Sequence, residues 1–383
     1  MKLRRSVFVL SSILALAMAG PLAAQTSALV SPLVLPDHRV TFSIHAPRAS
    51  EVAVFGDWMR LGTEKKMEKD ATGNWSATLG PLPPGIYIYT FTVDGLTIAD
   101  PVNPRVKLRA RTSASLLEVP GDPPELWEAR DVPHGTIEIV PHSSGILRHE
   151  MRQVWIYKPP GYDQTKSRKY PVLYLLHGAN DTPAGWTQVG GANFIFDNLI
   201  AEKKAEPMLV VRPFGHAVPF GAPREAQSQN IPLMESYLLR ELVPLVEGKY
   251  RAAPGRQKRA LVGYSMGGGQ SLQIGLGHLD QFAWVGAFSA GVPADFEKRF
   301  QPLLEDLKST NQKLSLLWIG CGEDDSLFAR SRQLSELLTA RGINHTFRPT
   351  PGAHTYTVWR QYLIEIGPLL FHSPGKPASG SGR

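Results

Sequence analysis

The 383-residue chain is almost without cysteine, since Cys321 is the one it has. A single cysteine excludes a disulfide within the chain, so its stability must come from a hydrophobic core. Cys321 lies just after the apolar run Leu316-Leu317-Trp318-Ile319, a position that predicts a buried structural thiol rather than a nucleophile. The 11 histidines form neither an H-E-x-x-H motif nor a Cys/His spacing. The sequence therefore predicts no metal site and no cofactor.

Dense charge runs and long apolar runs are also scarce. The net charge of +7 is spread along the chain without a basic run that contains aromatic residues, which argues against nucleic acid as a partner. Beyond the N-terminal residues, no segment is long and apolar enough to span a membrane. With 43% hydrophobic and 20% charged residues, the composition is typical of a soluble globular protein, and the length favours two domains.

The first 24 residues have the pattern of a secretory signal peptide. Lys2, Arg4 and Arg5 precede an apolar run over residues 7–18, and small residues follow it. A membrane anchor is the weaker interpretation, because the apolar run is short for a spanning helix. We expect cleavage after Ala24 and a secreted or periplasmic protein without a membrane span after cleavage.

Residues 37–118 predict a small all-β domain. Short segments of alternating pattern, such as Val40–Ile44 and Tyr87–Val93, are separated by turns rich in glycine, proline and asparagine, which is typical of an immunoglobulin-like β-sandwich. The proline-rich residues 119–135 are interpreted as a linker. Residues 373–383 are interpreted as a flexible tail without core residues.

From residue 136 to residue 372, apolar strand segments alternate with amphipathic helical segments. This alternation predicts an α/β domain whose mostly parallel sheet is covered by helices on both faces. The predicted strands are Gln153–Tyr157, Val172–Leu176, Met208–Val211, Ala260–Gly263, Trp284–Phe288, Leu314–Ile319 and His345–Arg348. The predicted helices are Phe194–Lys204, Met234–Tyr250, Gly268–His278, Phe296–Lys308, Ser331–Arg341 and Val358–Leu370.

The segment Gly263-Tyr264-Ser265-Met266-Gly267 fits the G-x-S-x-G pattern of a nucleophile elbow. Small residues are needed there because a larger side chain would collide with the neighbouring strand or helix. The apolar run before the pattern fits a buried strand, and the residues after it can open a helix. These flanks favour an exposed serine on a sharp strand-to-helix turn over a structural glycine turn.

A serine hydroxyl needs a histidine to take its proton and a carboxylate to orient that histidine. His354 follows the last predicted strand, and three adjacent carboxylates follow the strand before it. The order serine, acid, histidine is the one expected for strand ends in this fold, so we predict a triad of Ser265, Asp325 and His354. Three like charges at one site disfavour each other's ionised form, so at least two of these carboxylates must point to solvent or to a helix N-terminus. Asp324 and then Glu323 are the alternatives for the acid.

The oxyanion of an acyl-transfer reaction needs two backbone N–H donors. One predicted donor is the N–H of Met266, directly after the serine, and the other lies in the loop after the strand that ends at residue 176. We choose Ala179 for the second donor, with Gly178 as the alternative. His177 precedes the serine in the chain, so we interpret it as a residue that shapes this loop rather than as the base.

With these motifs, residues from about 136 to 371 resemble the putative-esterase family of α/β-hydrolases, which includes feruloyl and acetylxylan esterases. The motifs that carry the resemblance are Leu176-His177-Gly178, Gly263-Tyr264-Ser265-Met266-Gly267-Gly268, Gly320-Cys321-Gly322, Asp325-Ser326-Leu327, Gly352-Ala353-His354-Thr355 and Trp359-Arg360.

Two motifs bear on details of the site. In feruloyl esterases of this group the acid lies in a G-x-x-D-x-L setting, and Gly322, Asp325 and Leu327 match it. The histidine loop there often reads G-G-H-T-W, whereas this chain has Ala353 and Tyr356. The resemblance therefore supports Asp325 as the acid and implies an acyl pocket that differs in detail.

The all-β segment is similar to the carbohydrate-binding-module-like sandwich that precedes glycogen-branching and isoamylase enzymes. The matching segments are Val54-Phe55-Gly56-Asp57-Trp58, Gly73-Asn74-Trp75, Pro84-Gly85-Ile86-Tyr87-Ile88-Tyr89, Val93-Asp94-Gly95 and Asp100-Pro101. Trp58, Trp75 and Tyr89 are candidates for stacking on sugar rings. Packing inside the sandwich or at the domain interface is the favoured alternative, because aromatic residues in small β-domains mostly bury surface.

The resemblance implies a secreted serine esterase that releases ferulate or acetate from an acylated plant polysaccharide or oligosaccharide such as xylan. Trp186, Phe328 and Trp359 are candidates for the wall of an aromatic acyl pocket, and core packing suits each of them equally well. A siderophore esterase or a sugar acyltransferase of the same fold is an alternative. A carbohydrate-binding protein with a degenerate hydrolase domain is the alternative from another class.

Overall fold

The structure is a computed structural model that describes residues 29–110, 112–148 and 150–372. The predicted signal peptide at residues 1–24 and the predicted tail at residues 373–383 lie outside the described residues.

Strands between residues 33 and 119 form two antiparallel sheets in the described part of the chain. The first sheet has the order β1-β2-β6-β5, and the second has the order β4-β3-β7-β10-β9 with β8 paired to β7. The strands are β1 (Leu33–Val34), β2 (Val40–His45), β3 (Val52–Gly56), β4 (Lys65–Lys66), β5 (Glu68–Lys69), β6 (Asn74–Leu79), β7 (Gly85–Val93), β8 (Leu96–Ile98), β9 (Val106–Lys107) and β10 (Ala114–Val119).

One hydrophobic core joins the two sheets into a sandwich. Phe42 of β2 packs with Val54 of β3 and Phe91 of β7 in a single buried cluster. Alternate residues of each strand point into this core because successive side chains of a strand face opposite sides. The residues between them, such as Ile88 and Thr90 of β7, lie on the outer face of the second sheet, which turns toward the rest of the chain.

The three aromatic residues considered for sugar stacking pack within the sandwich. Trp75 and Tyr89 are buried in its core, and the Tyr89 hydroxyl donates a hydrogen bond to Asp100. Trp58 is half-buried and stacks on Phe42 with ring centroids 5.7 Å apart. These residues therefore bury surface within the domain, as the favoured alternative to sugar stacking expected.

The predicted linker at residues 119–135 is packed against the second part of the chain. The Asn198 side chain donates hydrogen bonds to the carbonyl oxygens of Leu126 and Glu128. The Arg360 guanidinium lies over the Trp127 ring, 4.8 Å from its centroid. These contacts fix the segment on the surface of the α/β domain, and it does not act as a free tether between the domains.

The strands after residue 135 form a mixed sheet with the order β11-β12-β14-β13-β15-β16-β17-β18 within the described residues. Pairing is antiparallel from β11 to β14 and parallel from β14 to β18. The strands are β11 (Thr136–Ser144), β12 (Glu150–Lys158), β13 (Val172–Leu176), β14 (Leu209–Pro213), β15 (Arg259–Tyr264), β16 (Trp284–Phe288), β17 (Leu316–Gly322) and β18 (Thr346–Thr350).

Helices follow the strands along the chain and enclose three apolar clusters against the sheet. The α-helices are α1 (Gly185–Gln188), α2 (Ala192–Ala201), α3 (Arg224–Gln227), α4 (Asn230–Tyr237), α5 (Val243–Lys249), α6 (Met266–Gly277), α7 (Phe296–Arg299), α8 (Gln301–Glu305), α9 (Leu307–Lys313), α10 (Phe328–Ala340) and α11 (Tyr356–Ile366). A π-helical turn (Leu238–Leu242) joins α4 to α5, and 3₁₀ turns span Arg256–Lys258 and Gly367–Leu369. The predicted fold class, an α/β-hydrolase fold behind an all-β sandwich, is confirmed.

One predicted helix is broken. The pattern over Phe296–Lys308 predicts a continuous helix, but the structure has the three short helices α7, α8 and α9 there. Pro302 lacks a backbone N–H and lies in the first turn of α8, where it starts a helix more readily than it continues one. Asp306 then caps α9, because its side chain accepts a hydrogen bond from the Ser309 N–H.

Among the described residues, no helix has the length and apolar character needed to cross a membrane.

Candidate active site

Ser265 lies between the carboxyl end of β15 and the start of α6. Its backbone has φ 55° and ψ −117°, a conformation that costs a non-glycine residue energy and occurs mostly at functional sites. Three backbone hydrogen bonds hold the turn: the Ser265 N–H donates to the Phe288 carbonyl at 2.8 Å, and the Ser265 carbonyl accepts from the Gly269 N–H at 2.9 Å and from the Gly291 N–H at 3.3 Å. The predicted sharp strand-to-helix turn is present.

The glycines beside Ser265 are required by close backbone contacts. A Cβ atom on Gly263 would lie 2.5 Å from the Gly267 carbonyl oxygen. A Cβ atom on Gly267 would lie 2.5 Å from the His177 carbonyl oxygen. Both contacts are with backbone atoms, which cannot rotate away as a side chain can. The G-x-S-x-G spacing therefore lets the turn pack directly on the end of β13.

The structure brings Ser265, His354 and Asp325 into one hydrogen-bonded chain. The Ser265 hydroxyl donates to His354 Nε2 at 2.9 Å, and His354 Nδ1 donates to Asp325 Oδ2 at 2.7 Å. The three side chains follow β15, β18 and β17, whose carboxyl ends lie at the same edge of the parallel sheet. This arrangement can activate a serine hydroxyl for nucleophilic attack.

The Asp325 carboxylate is buried and accepts several hydrogen bonds. Burial opposes its charge, but hydrogen bonds from His354, from the Leu327 N–H at 2.9 Å and from the Ser289 hydroxyl hold the pKa of the carboxyl below its usual value. It is therefore ionised near neutral pH and keeps His354 in the tautomer that accepts the serine proton. Glu323 and Asp324 are exposed, so of the three neighbouring carboxylates Asp325 is the one that touches His354.

The loop after β13 lies beside the elbow, because Leu176 of β13 is paired with Gly263 of β15. A Cβ atom on Gly178 would lie 3.2 Å from the Ser265 Cβ atom. Among the described residues, the backbone N–H groups of Met266 and Ala179 donate to no acceptor, so both are available to an oxyanion.

His177 shapes this loop. Its Nε2 accepts a hydrogen bond from the Gly215 N–H at 2.9 Å, and its Nδ1 donates to the Gly178 carbonyl at 2.8 Å. Burial lowers the pKa of His177 to about 4, so the ring is neutral and both nitrogens are occupied. It has no nitrogen free to act as a base on Ser265.

A cavity of about 460 Å³ opens in front of Ser265 and His354. Trp359 lines it, stacks on Tyr264 with centroids 3.9 Å apart and meets the His354 ring edge-on at 4.9 Å. Of the three aromatic residues predicted for the acyl pocket, the structure brings Trp359 to the cavity.

The other two are corrected. Trp186 is completely buried and donates a hydrogen bond to the Leu176 carbonyl at 3.0 Å, so it supports the end of β13 from inside the core. Phe328 is not among the residues that line the cavity and lies against Phe347 instead. An apolar side chain that is near a catalytic loop in sequence can face the cavity or face away from it, and neither of these two side chains lines the cavity.

The opposite wall of the cavity comes from the sandwich, which the motifs did not predict. Its lining residues there lie on strands β3, β7, β8 and β9 and on the connections after β3, before β4 and after β9: Phe55, Asp57, Glu64, Ile88, Tyr89, Thr90, Thr92, Thr97, Lys107 and Arg109. Burial raises the pKa of the Asp57 carboxyl to about 7. A hydrogen bond from the Ile88 N–H and the positive charges of Arg360 and Arg109 lower this pKa, but burial has the larger effect. The site is therefore formed by both domains, and it contains charged groups from the sandwich.

No group of three or more histidine, cysteine or carboxylate side chains arranged to hold a metal ion occurs in the part of the chain that the structure describes. Cys321 is buried, and burial raises the pKa of its thiol to about 11. The thiol is therefore protonated and unsuited to act as a nucleophile.

Comparisons with known proteins agree with this geometry. Residues 144–370 match the family described as "Putative esterase". An endo-1,4-beta-xylanase/feruloyl esterase of Xylanibacter ruminicola is 30% identical over 349 residues, which cover 89% of this chain and 46% of that protein. The chain spans about half the length of the curated relatives it matches.

Solved structures extend the comparison to the fold. A ferulic acid esterase is 27% identical with a TM-score of 0.55, and the match covers 62% of this chain and 98% of that one. The enterobactin esterase of Shigella flexneri is 20% identical with a TM-score of 0.63. That match covers 87% of this chain and 93% of the other, so the similarity of fold reaches beyond the α/β domain.

Proposed function

Since the chain belongs to the putative-esterase family of α/β-hydrolases, we propose that it is an exported serine esterase acting on an acylated plant polysaccharide. The ester hydrolysis follows from the family. The acyl-enzyme on Ser265, the cinnamate-type acyl group, the xylan-like carrier and the export are our proposal.

The observation that carries the proposal is the hydrogen-bonded chain from Ser265 through His354 to Asp325. It lies at the floor of a cavity large enough for a cinnamate-sized group, since small-molecule pockets commonly have about 300–1,000 Å³. Trp359 in that cavity supports an aromatic acyl group, because a flat ring packs well on an indole.

In the first half of the reaction, the Ser265 oxygen bonds to the carbonyl carbon of the ester while its proton passes to His354 Nε2. The N–H groups of Met266 and Ala179 stabilise the oxyanion, helped by the positive end of the α6 dipole. The bond to the alcohol then breaks, and the alcohol oxygen takes the proton from His354. An acyl-enzyme on Ser265 and a free sugar hydroxyl result.

In the second half, water replaces the alcohol. His354 takes a proton from the water as its oxygen bonds to the acyl carbon, and the same proton returns to the Ser265 oxygen when the carboxylic acid leaves. Asp325 stays ionised throughout, because its hydrogen bonds keep its pKa below the usual value. It stabilises the positive charge that His354 carries in both halves.

The similarity to a xylanase/feruloyl esterase over most of the chain supports a feruloyl ester on xylan as the substrate. The sandwich residues on the cavity wall support a substrate that extends beyond the acyl group, since they place polar side chains where the alcohol part would leave. The N-terminal pattern supports export, which suits a polymer that cannot enter the cell.

The test is Ser265→Ala with methyl ferulate and acetylated xylan as substrates. Turnover should fall by about 10⁶-fold, as when a triad nucleophile is removed. An unchanged thermal unfolding midpoint serves as the control for folding. Near-normal turnover by the folded variant would refute the mechanism.

A substrate panel decides the acyl group. We expect methyl ferulate to be cleaved with a higher kcat/KM than acetylated xylan or a catecholate siderophore ester. A preference for the siderophore ester would favour the alternative that shares the fold. Acyl transfer to an added sugar faster than hydrolysis would favour an acyltransferase.

A further inference from the structure

The sandwich touches the loop that carries the predicted oxyanion donor. The Ala110 N–H donates to the Asn180 carbonyl at 3.3 Å, and the Thr182 hydroxyl donates to the Leu108 carbonyl at 3.5 Å. Residues 107–110 therefore lie along residues 180–182, next to the chain segment that must keep its position relative to Ser265.

A buried ion pair lies at the centre of this contact. Lys107 Nζ of β9 lies 2.6 Å from Asp181 Oδ1, and the two side chains are 4% and 6% exposed. Burial lowers the pKa of Lys107. Burial opposes the charge of Asp181, but the Lys107 ammonium, together with hydrogen bonds from Lys107 and Tyr264, outweighs it and lowers the pKa of that carboxyl. Each charge is therefore maintained by the other, and the sandwich supplies the cation.

The Asp181 carboxylate accepts hydrogen bonds on both oxygens. Oδ1 accepts from the Thr182 N–H at 2.7 Å in addition to Lys107. Oδ2 accepts from the Tyr356 hydroxyl at 2.9 Å and from the Tyr264 hydroxyl. The ionised form alone has enough lone pairs for all of these donors. Without the ammonium, a buried carboxylate tends to take up a proton, because desolvation disfavours its charge.

The tyrosines connect this pair to the nucleophile. Tyr264 directly precedes Ser265 in the elbow, and Tyr356 lies two residues after His354. Asp181 lies two residues after Ala179 in the loop beside them. One carboxylate thus ties the elbow, the histidine loop and the oxyanion loop together, at the side where the sandwich inserts Lys107.

We propose that Lys107 is a positioning residue for the esterase reaction, supplied by the sandwich to keep Asp181 ionised and the three loops in register. The sandwich is then part of the catalytic unit and not an appended module. This inference rests on the proposed function, because it assigns no role to Lys107 apart from the geometry around Ser265.

Other charged or titratable groups also face Asp181, and their protonation states affect how this region responds to pH. They come from the sandwich, from the ends of β13 and β14 and from the elbow and histidine loops: Arg109, His177, His216, Tyr264 and Tyr356. Burial lowers the pKa of both histidines to about 4 and raises the pKa of both tyrosines well above the usual value. Between pH 5 and 9 these groups keep one protonation state, whereas the Asp57 carboxyl, which interacts with Lys107 and Arg109 and whose pKa burial raises to about 7, titrates in this range. Asp181→Asn keeps Asp57, so a titration that is present in Lys107→Met and absent from Asp181→Asn is that of Asp181.

The experiment compares Lys107→Met, Asp181→Asn and the double variant on 4-nitrophenyl acetate as a function of pH. We expect Lys107→Met to lower kcat by about 10²-fold at pH 7, the size of effect expected when catalytic groups are misplaced by about 1 Å. The loss should be larger at pH 5 than at pH 8, because the carboxyl without its cation has a raised pKa and is protonated as the pH falls. Asp181→Asn has no carboxyl to titrate, so its loss should not vary with pH.

The double variant separates charge from shape. Lys107→Met combined with Asp181→Asn should behave like Asp181→Asn alone, without the added sensitivity to acid. The double variant buries no unpaired charge. It can therefore be measured in place of Lys107→Met if the single variant does not fold. Lys66→Met, at an exposed lysine of β4, is the matched control and should retain wild-type kcat and pH profile.

Two results would overturn the inference. One is a folded Lys107→Met with wild-type kcat and an unchanged acid limb, and the other is a double variant with wild-type kcat. A wild-type protein that is inert toward both 4-nitrophenyl acetate and methyl ferulate would instead refute the proposed serine esterase itself. Activity of the wild type toward these two esters therefore distinguishes the two failures.

Discussion

The two walls of the catalytic cavity are built differently. On the hydrolase side, each member of the proposed triad follows the carboxyl end of a parallel strand: Ser265 after β15, Asp325 after β17 and His354 after β18. On the sandwich side, most of the lining residues come from the outer face of an antiparallel sheet, such as Ile88 and Thr90 of β7. Loops carry the triad on the first wall, and a regular sheet surface makes up most of the second wall.

Under the proposed function, this difference assigns the reaction to the first wall and substrate contact to the second. Loops at strand ends can carry special backbone geometry, such as the positive φ of Ser265, because a rigid sheet fixes their ends. A sheet face offers evenly spaced side chains with no strain, which suits contact with an extended molecule. The Lys107–Asp181 ion pair is a direct contact between a side chain of the second wall and a loop of the first.

The largest expected effect lies on the hydrolase wall. Asp325→Asn should lower kcat by about 10⁴-fold, because the amide favours the wrong tautomer of His354. Asp324→Asn and Glu323→Gln should change kcat by less than about threefold, since exposed side chains away from the reacting atoms contribute little. Steady-state kinetics on methyl ferulate measure all three, and the reverse ranking would move the acid to a neighbour.

A backbone contact tests how tightly the loops of this wall are joined. Gly267→Ala should lower kcat by about 10²-fold, because the added Cβ meets the His177 carbonyl oxygen and shifts the elbow against the oxyanion loop. Gly277→Ala in the same helix is the control, since a Cβ there has no neighbour within 4 Å. Equal kcat values for the two variants would show that the elbow tolerates displacement.

The smallest expected effect lies on the sandwich wall. Arg109 lines the cavity and donates no hydrogen bond to another described residue, so its guanidinium is available to the substrate. Arg109→Ala should raise KM for a feruloylated oligosaccharide by about tenfold, the value of one charged hydrogen bond, with less change in kcat. Arg105→Ala, which removes an exposed arginine paired with Glu118, should leave KM unchanged. The same KM shift in both variants would assign it to net charge.

Much of the hydrolase wall could be predicted from the sequence. The strands Val172–Leu176 and Trp284–Phe288 have the predicted bounds, because buried parallel strands are short apolar runs. The loops that carry Ser265, Asp325 and His354 follow from the order of strand ends. Edge strand β11 (Thr136–Ser144) was not predicted, since most of its residues are exposed and its pattern is weak.

The sandwich wall could not be predicted in this way. Thr90 and Lys107 follow no motif, and an outer sheet face with such residues normally meets solvent. Here the α/β domain covers this face, and the covering depends on contacts between distant segments. One example is the 2.6 Å contact of Lys107 with Asp181, 74 positions further along the chain. Trp186 shows the converse, because its position near the oxyanion loop suggested a pocket wall while its hydrogen bond to Leu176 fixes it in the core.

The position of a covalent adduct identifies the nucleophile. The protein is treated with a fluorophosphonate and digested with trypsin, and the peptide spanning residues 260–298 is fragmented by mass spectrometry. We predict a single adduct on Ser265, absent from Ser271 and Ser289 of the same peptide, and formed more slowly in Lys107→Met. An unlabelled protein, or an adduct on another residue, would contradict the account.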